Sequence, residues 1–190
     1  MFKLIKFLFI LFLGVISCAC VNMVAVHELN TKASGYLEEG DLDSAISRLE
    51  ASVDLDGNIY ESRYNLANAY LRKGKIQKAL ENIEVAININ KNEPIAFYTH
   101  GIIAQEAAEE IYEKTNEKGE KVPTVFKYKE DAIKAAKRYT KLLSDANESY
   151  ERYISLLPNA EDTQQIYDII NENKQKIEQK LLEFELTLEK

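Results

Sequence analysis

The chain has 190 residues, enough for one domain or two small ones, and 24 Lys and Arg against 31 Asp and Glu give a net charge of −7. Apolar residues make up 46% of the sequence, which is enough to bury a core and argues against a disordered or fibrous chain. The acidic balance argues against nucleic acid as the main ligand. Seven glycines and three prolines are fewer than the turns of a β-sandwich or barrel usually require, so an all-α fold is predicted.

Residues 1–17 have the three-part layout of an export signal peptide. Lys3 and Lys6 form a basic start, residues 7–16 are an apolar run, and the small residue Ser17 precedes Cys18. The apolar run is about half of the roughly 20 residues that a membrane-spanning helix requires. A cleaved signal is therefore favoured over an uncleaved anchor.

The segment Val15-Ile16-Ser17-Cys18 resembles the lipobox of bacterial lipoproteins. The resemblance implies that Cys18 carries lipid, with palmitate among its acyl chains, and becomes the first residue of the mature protein, and that residues 18–25 form a short tether. It also implies a lipid-anchored location in the bacterial cell envelope. Because Ala19 is not Asp, an outer membrane is favoured where one is present. An ordinary secretory signal cut near Ala19 or Cys20, or an uncleaved tail, stays open, and Cys20 has no assigned role.

The sequence repeats itself at a fixed offset, the one that separates Gly40 from Gly74. When these two glycines are aligned, small and large apolar residues on both sides fall into register, among them Ala33 with Ala67 and Ala45 with Ala79. Each unit therefore predicts two helices joined by a tight turn at glycine, with alanines where the helices touch.

This pattern resembles the tetratricopeptide repeat (TPR). The resemblance implies an all-α solenoid of helical hairpins with repeats near 26–59, 60–93 and 94–158. It also implies a C-terminal capping helix over 162–188, so that residues 26–190 are one TPR domain.

The third repeat is longer than the other two. The stretch from Ala104 to Ala146 takes the place of the much shorter stretch from Tyr36 to Ala45 in the first repeat. A long insertion is thus predicted to lengthen both helices of the third hairpin and to add a loop.

A groove for an extended peptide or a partner helix is implied by the TPR resemblance. Its predicted lining consists of His27, Asn30, Ser34, Glu38, Glu61, Tyr64, Asn68, Arg72, Tyr98, Ile102 and Gln105. One version of this groove binds a partner's C-terminal carboxylate through two basic residues of the third repeat. Those positions are Tyr98 and Ile102 here, so a clamp for a carboxylate is not predicted.

The insertion is basic in an otherwise acidic chain. Residues 114–141 contain nine basic and four acidic residues. The basic residues predicted to form a surface are Lys127, Lys129, Lys134, Lys137, Arg138 and Lys141. They could rest on anionic lipid, engage an acidic partner, or simply form a solvated helix face, and the sequence leaves these three readings open.

No catalytic role, cofactor or metal site is predicted. The only cysteines are Cys18 and Cys20, the two histidines, His27 and His100, are far apart, and no phosphate-binding glycine loop or zinc-protease motif occurs. The predicted function is a membrane-anchored adaptor with a protein or peptide partner that serves envelope assembly or transport. The alternative is a periplasmic small-molecule carrier with a cavity in the third hairpin, lined by Tyr112, Tyr139, Tyr150 and Tyr167. The sequence identifies neither the partner nor the oligomeric state.

Overall fold

The computed structural model describes residues 23–115 and 120–188, and these residues form seven helices and one short antiparallel pair of strands. The predicted signal peptide and Cys18 lie outside them. In chain order the elements are α1 (23–39), α2 (Leu42–Leu55), α3 (Tyr60–Arg72), α4 (Ile76–Ile89), α5 (Pro94–Tyr112), β1 (Glu113–Thr115), β2 (Lys121–Pro123), α6 (Lys129–Leu156) and α7 (Thr163–Leu188). The all-α prediction is confirmed. The described residues form two compact units, which divide between Gly74 and Lys75.

The first unit contains α1, α2 and α3. Gly40 and Gly74 follow α1 and α3 with φ angles of 80° and 70°, a left-handed conformation that glycine adopts without steric cost. This is why the repeat places glycine there. The repeat alanines Ala33, Ala45 and Ala67 are fully buried, so these helices pack closely through small side chains.

The second unit contains α4 to α7, and its central feature is the long pair α5 and α6, of 19 and 28 residues. Pro94 starts α5, where its missing N–H costs no helical hydrogen bond. The pair is antiparallel, because Tyr98 near the start of α5 contacts Tyr153 near the end of α6, while Tyr112 at the end of α5 contacts Tyr139. The insertion therefore extends both helices of the third hairpin.

The connection between α5 and α6 contains a small β-ladder that the sequence did not predict. β1 and β2 pair in antiparallel register, with Glu113 opposite Pro123 and Thr115 opposite Lys121. The ladder gives the backbone N–H and C=O groups at the end of the long hairpin hydrogen-bond partners within the chain. In an irregular loop these groups would bond to water instead.

The C-terminal helix α7 covers α6 with its first half. Ile166, Ile170 and Asn173 are buried, whereas Leu181 and Leu182 are about half exposed. Asp162, just before α7, accepts a hydrogen bond from the Tyr153 hydroxyl at 3.1 Å. No helix within the described ranges is long and apolar enough to cross a membrane.

Candidate functional site

A cleft with both apolar and polar lining residues lies between α1 and α3 in the first unit. Its volume is about 530 Å³, and we call it the α1–α3 cleft. It is lined by Met23, Val26, His27, Asn30, Thr31, Ser34, Ile59, Glu61 and Asn65. Four residues of the predicted groove, His27, Asn30, Ser34 and Glu61, are therefore brought together in one place.

Asn30 connects the cleft to the buried core beneath it. Its Nδ2 donates hydrogen bonds to Ser62 Oγ at 2.8 Å and to Ser52 Oγ at 3.3 Å, and the two serine hydroxyls are 2.8 Å apart. Both serines are fully buried. The Asn30 Oδ1 atom is buried and accepts no hydrogen bond in the described part of the chain. Such an unsatisfied acceptor costs about 1–3 kcal/mol, so a donor that reached it would relieve that cost.

The charges around the α1–α3 cleft differ from those of a carboxylate-binding site. Among the nine residues that line it, Glu61 is the one acid and there is no lysine or arginine. His27 and Glu61 are exposed, and Thr31 donates its hydroxyl hydrogen to the His27 carbonyl at 2.9 Å. The lining thus offers amide, hydroxyl and carboxylate oxygens, which suit backbone N–H groups and cationic or neutral side chains.

Three further groove residues of the first unit, Tyr64, Asn68 and Arg72, lie along α3. The Tyr64 ring stacks on Tyr60 with centroids 5.7 Å apart. Asn68 Nδ2 donates to the Tyr64 carbonyl at 3.0 Å, and Arg72 Nη1 donates to the Leu37 carbonyl of α1 at 3.3 Å. Arg72 therefore ties α3 to the end of α1.

In the second unit, two of the predicted groove residues take part in internal packing. Tyr98 contacts the rings of Tyr150 and Tyr153 with centroids 6.0 and 5.3 Å apart. Gln105 accepts a hydrogen bond from the Tyr150 hydroxyl and donates to Asn173 Oδ1 at 3.0 Å. The third of these residues, Ile102, is partly buried. Glu38, in the first unit, is exposed.

A second cleft, which the sequence did not reveal, opens between α4, α5 and α6 and has a volume of about 690 Å³. Its lining includes Phe97, His100 and Arg152 together with the acids Glu84, Asp145, Glu148 and Glu151. These residues come from three helices, and their separation in sequence gave no signal of a shared site.

His100 lies at this second cleft. Its Nδ1 is 2.8 Å from Ser149 Oγ. Burial lowers the pKa of His100, the negative charge of Asp145 acts in the opposite direction, and Lys141 lowers it further. Burial therefore favours the neutral form of the imidazole. Within the described residues, no group of three or more His, Cys, Asp or Glu side chains is placed to hold a metal ion.

The tyrosines of the carrier hypothesis do not line a common cavity. Tyr150 is 1% exposed with its ring packed against Gly101, whereas Tyr167 is 46% exposed. Tyr112 and Tyr139 contact each other edge to face at 5.3 Å. The four tyrosines therefore differ in their surroundings, whereas the carrier hypothesis places them around one cavity.

The predicted basic residues of the insertion are all exposed at the start and middle of α6 or just before it. Arg138 Nη2 donates to Gln77 Oε1 at 3.1 Å, and Lys141 pairs with Asp145 at 2.6 Å. Most of these cations therefore face solvent. They lie at the end of the α5–α6 hairpin where the β-ladder connects the two helices.

Comparison with known proteins supports the repeat assignment. The sequence profile of the tetratricopeptide repeat matches residues 36–98. A comparison with curated protein sequences finds no match.

Among solved structures, the TPR domain of Arabidopsis OM64 has a TM-score of 0.58 and 14% identity, over 80% of this chain and 98% of that one. The second TPR domain of human RPAP3 in complex with an HSP70 peptide has a TM-score of 0.57 and 17% identity, over 80% and 98%. The Yersinia enterocolitica type III secretion chaperone SycD in complex with a peptide of the translocator YopD has a TM-score of 0.51 and 14% identity, over 79% and 92%. The fold is the all-α fold of tetratricopeptide repeats.

Proposed function

We propose that the protein is a non-catalytic, lipid-anchored adaptor of a bacterial cell envelope, and that it binds an extended segment of a partner protein in the α1–α3 cleft. The observation that carries this proposal is the convergence of His27, Asn30, Ser34 and Glu61 on one cleft of about 530 Å³. Peptides bound by fold neighbours such as SycD and the RPAP3 domain support a peptide as the occupant.

The chemistry of the cleft selects the kind of peptide. Because its lining has one carboxylate and no cation, an acidic chain end would lose its water without gaining a partner charge. A neutral or basic segment would donate backbone N–H groups to the amide and hydroxyl oxygens of Asn65, Thr31 and Ser34, and a lysine or arginine of the partner would pair with Glu61. The occupant is thus a neutral or basic segment in extended conformation.

Lipid at Cys18 would hold this adaptor at a membrane without a spanning helix. Each acyl CH₂ in the bilayer contributes about 0.8 kcal/mol, so several chains on one cysteine give stable anchoring. We place the protein at the outer membrane where the cell has one. There it would serve an assembly or transport complex.

A photo-reactive amino acid in place of Ser34 tests the cleft. Ser47, an exposed serine of α2 outside the cleft lining, is the matched control position. We expect a specific crosslinked protein from position 34 and none from position 47, and we expect Glu61→Lys to weaken the crosslink. The same products from both positions would refute the cleft as the binding site.

Metabolic labelling with an alkyne fatty acid tests the anchor separately. We expect Cys18→Ser to lose the label and to leave the membrane fraction, while Cys20→Ser keeps both. A label that survives Cys18→Ser would refute the lipidation site and leave the cleft proposal standing.

A further inference from the structure

The segment that joins β2 to α6 exposes apolar side chains in close succession. Val122, Val125 and Tyr128 are 38%, 89% and 60% exposed. A single exposed apolar residue needs no explanation, but three so close together in the chain form a patch. We call residues 121–129 the insertion tip.

The insertion tip is held in place rather than loosely attached. The Thr124 N–H donates to the Tyr112 carbonyl at 2.7 Å, and Phe126 packs edge to face on the Tyr112 ring with centroids 5.7 Å apart. Together with the pairing of Glu113 and Pro123, these contacts fix the direction of the chain on both sides of Val125. The Val125 side chain is therefore projected outward while its neighbour Phe126 is packed inward.

Exposed cations surround this apolar patch. Lys121, Lys127 and Lys129 are exposed, and Lys127 Nζ lies 5.3 Å from the centroid of the Tyr128 ring. Lys121 Nζ is also 3.7 Å from carboxylate oxygens of Glu109 and Glu113. In α6 the basic series continues along the helix with Lys134, Lys137 and Arg138. Glu120, Glu130 and Asp131 are exposed directly beside the tip, but residues 121–129 themselves contain three lysines and no acid. The tip itself is thus positive in a chain whose net charge is −7.

We propose that the insertion tip docks on a membrane surface that contains anionic lipid. Val125 and Tyr128 enter the interfacial layer, and Lys127 and Lys129 contact the headgroups, because lysine side chains keep their ammonium in the polar layer while their stems lie along apolar groups. An acidic protein surface would satisfy the lysines but would place the projecting valine against polar groups. This proposal does not depend on acylation of Cys18 or on the α1–α3 cleft.

A tryptophan at position 125 reports on the docking directly, since the chain has no other tryptophan. The full-length Val125→Trp chain is reconstituted with phosphatidylcholine vesicles that contain or lack phosphatidylglycerol and carry brominated acyl chains. We expect a blue-shifted emission that the bromine quenches only when the anionic lipid is present. The control is Leu157→Trp, exposed at the other end of α6, about 40 Å away for a helix of 28 residues. Its emission should stay unquenched.

Charge variants in the Val125→Trp background distinguish docking by the lysines of the tip from electrostatic attraction of the whole chain to anionic vesicles. Lys127→Glu with Lys129→Glu should lower the ratio of docked to undocked tips at least about 30-fold. Lys78→Glu with Lys91→Glu changes the net charge equally at exposed sites outside the tip and should leave the quenching unchanged.

Three results would overturn the proposal. They are absence of quenching on anionic vesicles, quenching that is equal with and without phosphatidylglycerol, and an emission shift with polyglutamate but not with vesicles. The last result would identify the tip as a protein-docking surface. The reporter is at position 125, so a protein held only by lipid on Cys18 would keep this tryptophan in water. The experiment therefore distinguishes a failure of tip docking from a failure of the Cys18 anchor.

Discussion

The substitution Gly101→Ala tests whether the third hairpin depends on close packing of α5 against α6. A Cβ atom on Gly101 would lie 2.5 Å from Tyr150 Cε1 and 2.6 Å from Cζ. Favourable contacts between carbon atoms are about 3.5–4.0 Å, so the methyl group overlaps the ring by about 1 Å. The ring cannot withdraw easily, because Tyr150 is buried, its hydroxyl donates to Gln105, and Tyr98 packs on its edge.

The expected change in stability is the balance of two effects. Overpacking of this kind costs about 1–3 kcal/mol, and displacement of the ring would also lose the hydrogen bond to Gln105, which contributes about 1 kcal/mol. Alanine in a helix interior is about 1 kcal/mol more favourable than glycine. We therefore expect Gly101→Ala to lower the free energy of unfolding by about 1–3 kcal/mol, measured by urea denaturation with far-UV circular dichroism.

Gly35→Ala is the matched control, because Gly35 also lies within a helix but an added Cβ would meet nothing within 4 Å. This variant should be more stable than the native chain by up to about 1 kcal/mol. In a Tyr150→Val background the cost of Gly101→Ala should fall, since the obstructing ring is gone. If Gly101→Ala stabilised the protein as Gly35→Ala does, the packing argument would be wrong.

Three further predictions follow from single contacts. The folded pKa of His100 lies below its unfolded value of about 6.5, so its contribution to stability is present above that pH and lost as the pH falls below it. His100→Gln should therefore flatten the decline in melting temperature from pH 7.5 to 5.5. Asn173→Leu leaves a buried amide network incomplete and should cost about 2–3 kcal/mol in urea denaturation; a more stable variant would contradict this. Asp41→Ala removes the cap of α2, where a hydrogen bond from Ser44 lowers the Asp41 pKa, so it should reduce the melting temperature at pH 7 and lose its effect as the pH falls through the carboxyl pKa.

The insertion illustrates how far spacing alone could predict this fold. The long extra stretch between Ala104 and Ala146 predicted longer helices and an added connection, and both are present as α5, α6 and the segment between them. The β-ladder was missed, because such short strands carry no periodic signal in the sequence. The sequence could not separate Val125, which is exposed, from its neighbour Phe126, which packs on the Tyr112 ring.

The predicted groove also contains residues that the sequence placed together and residues whose contacts it could not predict. The repeat resemblance placed His27, Asn30, Ser34 and Glu61 on one surface, and in the structure these four residues line one cleft. Three of them share a face of α1 because residues three and four apart lie on the same side of a helix. It could not show that Gln105 is bonded to Tyr150 and Asn173, which come from helices 45 and 68 residues further along the chain.

In the sequence, Asn173 is a polar interruption of the apolar stripe of α7, and such a residue can set the register between subunits. Within the chain it accepts from Gln105 and donates to Asn147, and it is fully buried. It therefore sets the register of α7 on its own neighbours. The lipid anchor, the bound partner and the role of the predicted groove residues stay predictions.

By itself the sequence determined the repeat phase, the glycine turns and the buried alanines, because each depends on the backbone geometry of one hairpin. Tertiary structure decided which polar side chains turn inward and which apolar ones turn outward. A residue's position on a helix selects its face, but only the helix packed against that face decides whether Asn30 meets Ser62 or solvent. Sites built by several helices, such as the cleft at His100, therefore become visible only when those helices are in place.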